Sequence, residues 1–214
     1  MRRAGCLLVA VVLTLCSVSA ASPPYEIHVD VDAKRLTVFR GDEILRTYPV
    51  ATGAWDTPTP LGVFRINSRF AGEMSGFGTC FLGLSVPWGQ YGIHGTNKPA
   101  SIGTSASHGC IRMRVEDAEA LSALVPDWTR VVIQQGAYGE WGDALRPLKS
   151  SDRSSMVCAL QRRLRALGYG VWPDGVYGAS TCKAVRRARE DHHLPPGDHA
   201  DWALYHAMGL TLFE

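Results

Sequence analysis

Apolar and polar residues alternate along much of the first half of the chain, beginning with Tyr25, Ile27, Val29 and Val31. A period of two is typical of a strand with one buried face. A hairpin is expected to turn at Gly41-Asp42. The strands predicted in this way lie at residues 25–31, 36–39, 44–50, 62–66, 80–86, 91–94 and 130–134. The first half is therefore predicted to be mainly β.

The second half has a helical period instead. Val157, Leu160, Leu164 and Leu167 recur at the spacing of one helix face, and Gly168 is placed to end that helix. Between the halves, residues 136–149 fit neither period and indicate a linker. Helices are expected at about 115–124, 154–167, 180–191 and 201–208. The chain is thus predicted to join a mainly β domain to a small domain of three helices.

The first twenty residues have the pattern of a secretory signal peptide. Arg2 and Arg3 precede an apolar run from Cys6 to Cys16, and Val18-Ser19-Ala20 supplies small residues for cleavage after Ala20. The apolar run is shorter than the about 20 residues that a membrane-spanning helix needs. We expect export to the cell wall, periplasm or exterior, without stable insertion in a membrane.

The charge of the mature chain argues against a nucleic-acid partner. Without Arg2 and Arg3, the 22 basic side chains fall to 20 and equal the 20 acidic ones. Proteins that bind nucleic acid usually carry a basic surface over the binding domain. The overall balance gives no support for such a surface.

Two short segments contain the residues with recognisable chemistry, Tyr91 to Thr96 and Ser107 to Met113. Cys110 can act as a nucleophile only near a base, because an ordinary cysteine has a pKa of about 8.5. His94 and His108 are the candidates. His108 is less suitable, since in an extended segment its side chain would lie about 6 to 7 Å from that of Cys110. His94 comes from another segment and can approach freely.

Other residues of these segments complete a site for acyl transfer. Gly109 allows unusual backbone angles, so the N–H groups of Gly109 and Cys110 could form an oxyanion hole. The planar guanidinium of Arg112 suits a substrate carboxylate. A zinc site built from His94, His108 and Cys110 is less favoured, because structural zinc takes four ligands. No metal and no cofactor are therefore predicted.

The first half resembles the L,D-transpeptidase catalytic family over roughly Tyr25 to Gln134. The matching motifs are Thr59 to Phe64, Ile93 to Thr96, and the Ser-His-Gly-Cys block that ends at Cys110. The resemblance implies a β-sandwich with one helix. It also implies a role in peptidoglycan biosynthesis, and through it in cell wall organisation and cell shape.

The resemblance also assigns a reaction. Cys110 cleaves the tetrapeptide stem of peptidoglycan after its third, diamino acid residue, releases D-alanine, and passes the acyl group to an amine to form a 3→3 cross-link. His94 moves the proton, and the Gly95 carbonyl orients its ring. Carbapenems, which mimic an acyl donor, are expected to acylate Cys110. Substrate contacts are predicted at His108, Arg112, Tyr91 and Thr96.

The second half resembles a three-helix peptidoglycan-binding domain. The matching residues are Leu160-Gln161, Leu164, Leu167-Gly168-Tyr169, Asp174-Gly175, Tyr177-Gly178 and Thr181, whereas Ala188-Arg189 departs from the pattern. The domain limits that follow are 1–20 for the signal peptide, 21–135 for the catalytic domain, 136–149 for the linker and 150–214 for the wall-binding domain. The arginines at 162, 163, 165, 186, 187 and 189 are read as solvated helix faces, with a patch for anionic wall polymers as the alternative.

Two rival functions remain at this point. One is a carboxypeptidase or endopeptidase in which water resolves the same thioester, and the other is a wall-binding protein without activity in which Cys110 forms a disulfide with Cys80. Cysteines of an exported protein are commonly paired. Helical periodicity places Cys158 and Cys182 near one seam, so we predict that this pair is bridged, that Cys80 is buried and unpaired, and that Cys110 is a reactive thiol.

Overall fold

The computed structural model describes residues 24–136, Trp141 and residues 145–210. The predicted signal peptide at 1–20 and part of the predicted linker lie outside these residues. The strands are β1 (Tyr25–Asp30), β2 (Arg35–Arg40), β3 (Glu43–Pro49), β4 (Thr52–Gly53), β5 (Gly62–Met74), β6 (Gly78–Leu84), β7 (Tyr91–Gly95), β8 (Ser105–Ser107), β9 (Ile111–Met113) and β10 (Arg130–Gln134). The helices are α1 (Val115–Leu124), α2 (Ser155–Ala166), α3 (Ala179–Asp191) and α4 (Trp202–Ala207), with a 3₁₀ turn at Pro99–Ser101.

Eight strands form one sheet in the order β3-β2-β1-β10-β5-β6-β7-β9, and β4 pairs with β8 separately. Most neighbours are antiparallel, but β1 pairs with β10 and β7 pairs with β9 in parallel. Alternate residues such as Ile27, Val29 and Val131 are fully buried. The mainly β first half and the helical second half predicted from the sequence are confirmed.

Strand β5 is longer than the sequence indicated. Its first residues alternate between buried and exposed, but the part beyond Ile66 is almost entirely exposed and forms a hairpin with β6. This part has no buried face, so it produces no alternating pattern, and the sequence predicted only its first five residues.

The core of the helical half includes a buried amide, that of Gln161. Its Nε2 donates to the Asp174 carboxylate at 2.8 Å and to the Thr181 hydroxyl at 2.9 Å, while its Oε1 accepts from the Gly175 N–H at 2.8 Å. A buried polar group is stable when its hydrogen bonds are satisfied. The Leu-Gln and Asp-Gly motifs of this half therefore hold α2, α3 and the intervening turn together.

One of the arginines read as solvated is instead in the core. Arg189 is 3% exposed and pairs with Asp201 at 2.9 Å, and it also donates to the carbonyls of Pro195 and His199. The departure from the family pattern at Ala188-Arg189 thus has a structural role, since the Asp201 carboxylate neutralises the buried guanidinium. The prediction of a solvated face is wrong at this residue.

The predicted bridge between Cys158 and Cys182 is not formed. Both residues are buried, but the Cys158 sulfur lies 3.5 Å from the Pro173 carbonyl oxygen, whereas Cys182 packs in the helical core. Helical periodicity placed both residues near the seam between α2 and α3, but it does not fix the direction of either side chain. Cys80 is buried and unpaired as predicted, with its thiol 3.5 Å from the Ala118 carbonyl.

Contacts join the two halves within the described parts of the chain. The Leu61 N–H donates to the hydroxyl of Ser155 at 2.6 Å. The Trp88 ring lies against Gly175, where a Cβ atom would be 2.1 Å from the nearest ring carbon. Trp88 therefore has a packing role, and glycine is required opposite it. No helix within the described residues is long and apolar enough to cross a bilayer.

Candidate active site

The parallel pairing of β7 and β9 brings together the two segments that the sequence singled out. His94 on β7 is in register with Arg112 on β9, and Cys110 precedes β9 directly. A cavity of about 230 Å³ opens at this point. Of the predicted site residues, it is lined by His94, Thr96, His108, Cys110 and Arg112.

His94 is held in one orientation by its surroundings. It is 2% exposed, and its Nδ1 lies 2.5 Å from the Gly95 carbonyl oxygen. A carbonyl can only accept, so Nδ1 carries the proton and Nε2 has a free lone pair. The ring packs against both Phe77 and Phe81, with ring centroids 4.6 and 5.8 Å away. This contact is the one that the family resemblance implied for the Gly95 carbonyl.

Burial lowers the pKa of His94 from its ordinary value, and the nearby charge of Arg112 lowers it as well, although the hydrogen bond to Gly95 opposes both. Burial raises the pKa of the Cys110 thiol, which the Gly92 N–H and the Arg112 charge partly offset. Desolvation disfavours the charged form of each group. Near neutral pH, the resting site therefore holds a neutral imidazole and a neutral thiol.

Ser107 organises the loop that presents Cys110. Its hydroxyl donates to the Cys110 carbonyl at 2.5 Å and accepts from the Gly109 N–H at 3.0 Å. Ser107 was not among the predicted site residues, although its place at the start of the Ser-His-Gly-Cys block was a usable signal. Because the Gly109 N–H is already bonded, the oxyanion hole predicted from Gly109 and Cys110 together is not available in this conformation.

Gly109 itself adopts the conformation expected of it, with a φ of 106° that side chains rarely tolerate. A Cβ atom here would be 2.6 Å from the ring of Tyr91. The half-buried Tyr91 ring is therefore a packing partner of Gly109, and it does not line the cavity as a substrate contact would. Desolvation raises the pKa of its hydroxyl, with the adjacent Cys110 as a further cause.

The cavity wall includes residues that sequence reasoning missed: Gly76, Phe77, Asn97, Lys98 and Ser107. Phe77 comes from the turn between β5 and β6, far from the catalytic motifs in sequence. Asn97 and Lys98 follow the Ile-His-Gly-Thr stretch directly, so their proximity could have been anticipated. Neither belongs to a motif that the sequence singled out.

Two family models match the chain. The model of the L,D-transpeptidase catalytic domain matches residues 24–133, and that of a peptidoglycan binding domain matches residues 153–197. The first match spans over half of the chain and includes His94 and Cys110. The second includes α2 and α3.

Curated relatives and solved structures are similar over the β half. The L,D-transpeptidase YkuD of Bacillus subtilis is 46% identical over 112 residues, which cover 52% of this chain and 67% of that protein. YkuD of Bacillus licheniformis is 44% identical over 110 residues, covering 51% and 66%. The chain thus spans about two thirds of the length of these relatives. The crystal structure of L,D-transpeptidase 3 from Mycobacterium tuberculosis in complex with a faropenem-derived adduct aligns with a TM-score of 0.46 and 19% identity, over 52% of this chain and 60% of that one.

Proposed function

Because the chain belongs to the family of L,D-transpeptidase catalytic domains, we propose that it is an exported cysteine acyltransferase of the bacterial cell wall. Its substrates are tetrapeptide stems of peptidoglycan, and its product is a 3→3 cross-link. The peptidoglycan binding domain holds the enzyme on the polymer. The main support is geometric: the buried His94, with its proton fixed on Nδ1 by Gly95, and the Cys110 thiol line the same cavity.

The first half-reaction forms a thioester. Cys110 Sγ attacks the carbonyl carbon of the third stem residue while its proton passes to His94 Nε2, which leaves a tetrahedral intermediate. The Cys110 N–H is the donor best placed for the oxyanion, because the Gly109 N–H is bonded to Ser107. When the C–N bond breaks, the imidazolium returns the proton to the departing amine of D-alanine.

The second half-reaction reverses these roles. An acceptor amine attacks the thioester carbonyl, His94 Nε2 takes the proton released by that amine, and Cys110 leaves as a thiolate that is then protonated. The Gly95 carbonyl holds the imidazole in the same tautomer through both steps. Thr96, His108 and Arg112 line the cavity and contact the donor stem.

Carbapenems are proposed to acylate the same thiol. A strained β-lactam carbonyl presents the same electrophile as the stem peptide, and ring opening leaves the acyl group on Cys110. The mycobacterial relative in complex with a faropenem-derived adduct supports this proposal for a related β-lactam class.

Mass spectrometry of products tests the proposed reaction. The mature chain is incubated with a tetrapeptide muropeptide, with and without an added D-amino acid as acceptor. Cross-linked or amine-exchanged products support transfer, whereas a tripeptide alone indicates the rival hydrolase. Cys110→Ala is the control, and product formation that is unchanged by this substitution would exclude the cysteine mechanism.

A further inference from the structure

The cavity around Cys110 has an unbalanced set of charges. Lys98 and Arg112 both line it, and none of the lining residues within the described parts of the chain is an aspartate or a glutamate. The nucleophile and base add no negative charge at rest, since both are neutral near pH 7. Two permanent cations without a carboxylate between them create a positive potential that favours an anionic ligand.

The backbone of Lys98 is fixed by hydrogen bonds, whereas its side chain forms no ion pair within the described residues. Its N–H donates to the Thr96 hydroxyl at 3.1 Å, and its carbonyl accepts from the N–H of Ser101 at 2.9 Å and from the Ser101 hydroxyl at 2.7 Å. These bonds hold the residue at the start of the 3₁₀ turn, beside the strand end that carries His94. Its exposed ammonium makes no ion pair with any residue that the structure describes.

We propose that Lys98 is a specificity-determining residue that binds a carboxylate of the acyl donor at the mouth of the Cys110 cavity. This inference rests on the proposed function and names the charge that the donor must present. An ammonium is a compact point charge, so Lys98 selects for negative charge and not for a planar geometry, whereas Arg112 can form a bidentate pair deeper in the cavity. In a stem whose diamino acid has a side-chain carboxyl group, two carboxylates flank the bond that is cleaved: the C-terminal one of D-alanine and the side-chain one of the diamino acid residue.

Three donors distinguish these sources: a tetrapeptide stem with both carboxylates, the same stem with a C-terminal carboxamide, and the same stem with a side-chain carboxamide. Each is assayed with the wild type, Lys98→Met and Lys98→Arg. Lys34→Met is the matched control, because the Lys34 ammonium bonds the Val31 carbonyl in a turn outside the cavity.

We expect the wild type to lose about fivefold in kcat/KM on one of the two carboxamides, as expected of a partly exposed ion pair. Lys98→Met should have the same kcat/KM for the stem with both carboxylates and for that carboxamide, mainly because its KM for the stem with both carboxylates rises. Lys98→Arg should restore most of the preference, and Lys34→Met should behave as the wild type. The preference should weaken with added salt, since mobile ions screen exposed charges.

A binding measurement separates this inference from the proposed function. Dissociation constants of the three stems are measured by calorimetry on Cys110→Ala and on the double variant with Lys98→Met, so that turnover is not needed. If binding depends on Lys98 while no stem is turned over by the wild type, the proposed reaction is wrong and the carboxylate site stands. Equal discrimination between stems with and without the Lys98 ammonium would overturn the inference.

Discussion

Replacing Gly109 with alanine should destabilise the β half and inactivate the enzyme, although the substitution adds only one methyl group. The φ of 106° costs a residue with a Cβ roughly 1 to 3 kcal/mol. The new Cβ would also lie 2.6 Å from the Tyr91 ring and 3.2 Å from the Pro58 carbonyl oxygen, so the chain must move. Such overpacking costs roughly another 1 to 3 kcal/mol.

The sum, about 2 to 6 kcal/mol, is a large part of the roughly 5 to 15 kcal/mol that stabilises a typical domain. Activity should fall about a hundredfold or more in the molecules that remain folded, because a shift of about 1 Å at a nucleophile has that effect. Urea unfolding followed by circular dichroism gives the stability change, and muropeptide turnover gives the activity change.

Gly103→Ala is the matched control. Gly103 has a φ of 89°, but nothing lies within 4 Å of the position that its Cβ would occupy. Gly103→Ala should therefore lose the stability that the backbone conformation costs, without the further loss caused by steric overlap. It should keep wild-type activity. Adding Tyr91→Ala to Gly109→Ala should recover part of the stability. A Gly109→Ala protein as stable and active as the Gly103→Ala control would refute the idea that contact with Tyr91 fixes this loop.

Three further predictions concern the site and the helical half. Cys110→Ala should abolish turnover with the fold intact. The activity of His94→Ala should fall almost as far, because the two residues act as a unit. Activity of Cys110→Ala within tenfold of wild type would contradict this assignment. Alkylation of Cys110 by iodoacetamide should accelerate only as the pH rises above the ordinary cysteine pKa, because burial raises the pKa of this thiol, whereas a rate already maximal at pH 6 would mean a preformed thiolate. Removing residues from Lys149 onward should weaken sedimentation with whole sacculi while sparing turnover of soluble muropeptides, and equal sedimentation of both forms would show that the helical half is not an anchor.

The sequence was informative where one local signal decides the structure. Alternation placed the strands that have one buried face, such as β1, and helix α1 begins and ends where its acidic first turn and the proline after it indicated. His94 and Cys110 could be paired because each lies in a short segment with few alternatives. These features depend on residues that are close in the chain.

Features that depend on side-chain direction or distant pairing could not be predicted. The parallel pairing of β7 with β9 and the position of β10 between β1 and β5 are decided by the whole sheet. The direction of the Cys158 thiol is decided by the packing of α2, and a helical period gives only its approximate face. Phe77 reaches His94 through a hairpin whose length the sequence did not indicate.

Arg112 acts in opposite directions on the two charges that form when the neutral thiol and the neutral imidazole react. If Cys110 transfers its proton to His94 during attack, the sulfur becomes negative beside Arg112, which favours it, and the imidazole becomes positive beside the same cation, which disfavours it. Desolvation of the buried ring is the larger part of that cost. Because its pKa is lowered, the imidazolium is a stronger acid than an ordinary one, so in the proposed reaction it releases its proton more readily to the departing amine. The same surroundings that make proton uptake costly would therefore assist the proposed step in which D-alanine leaves.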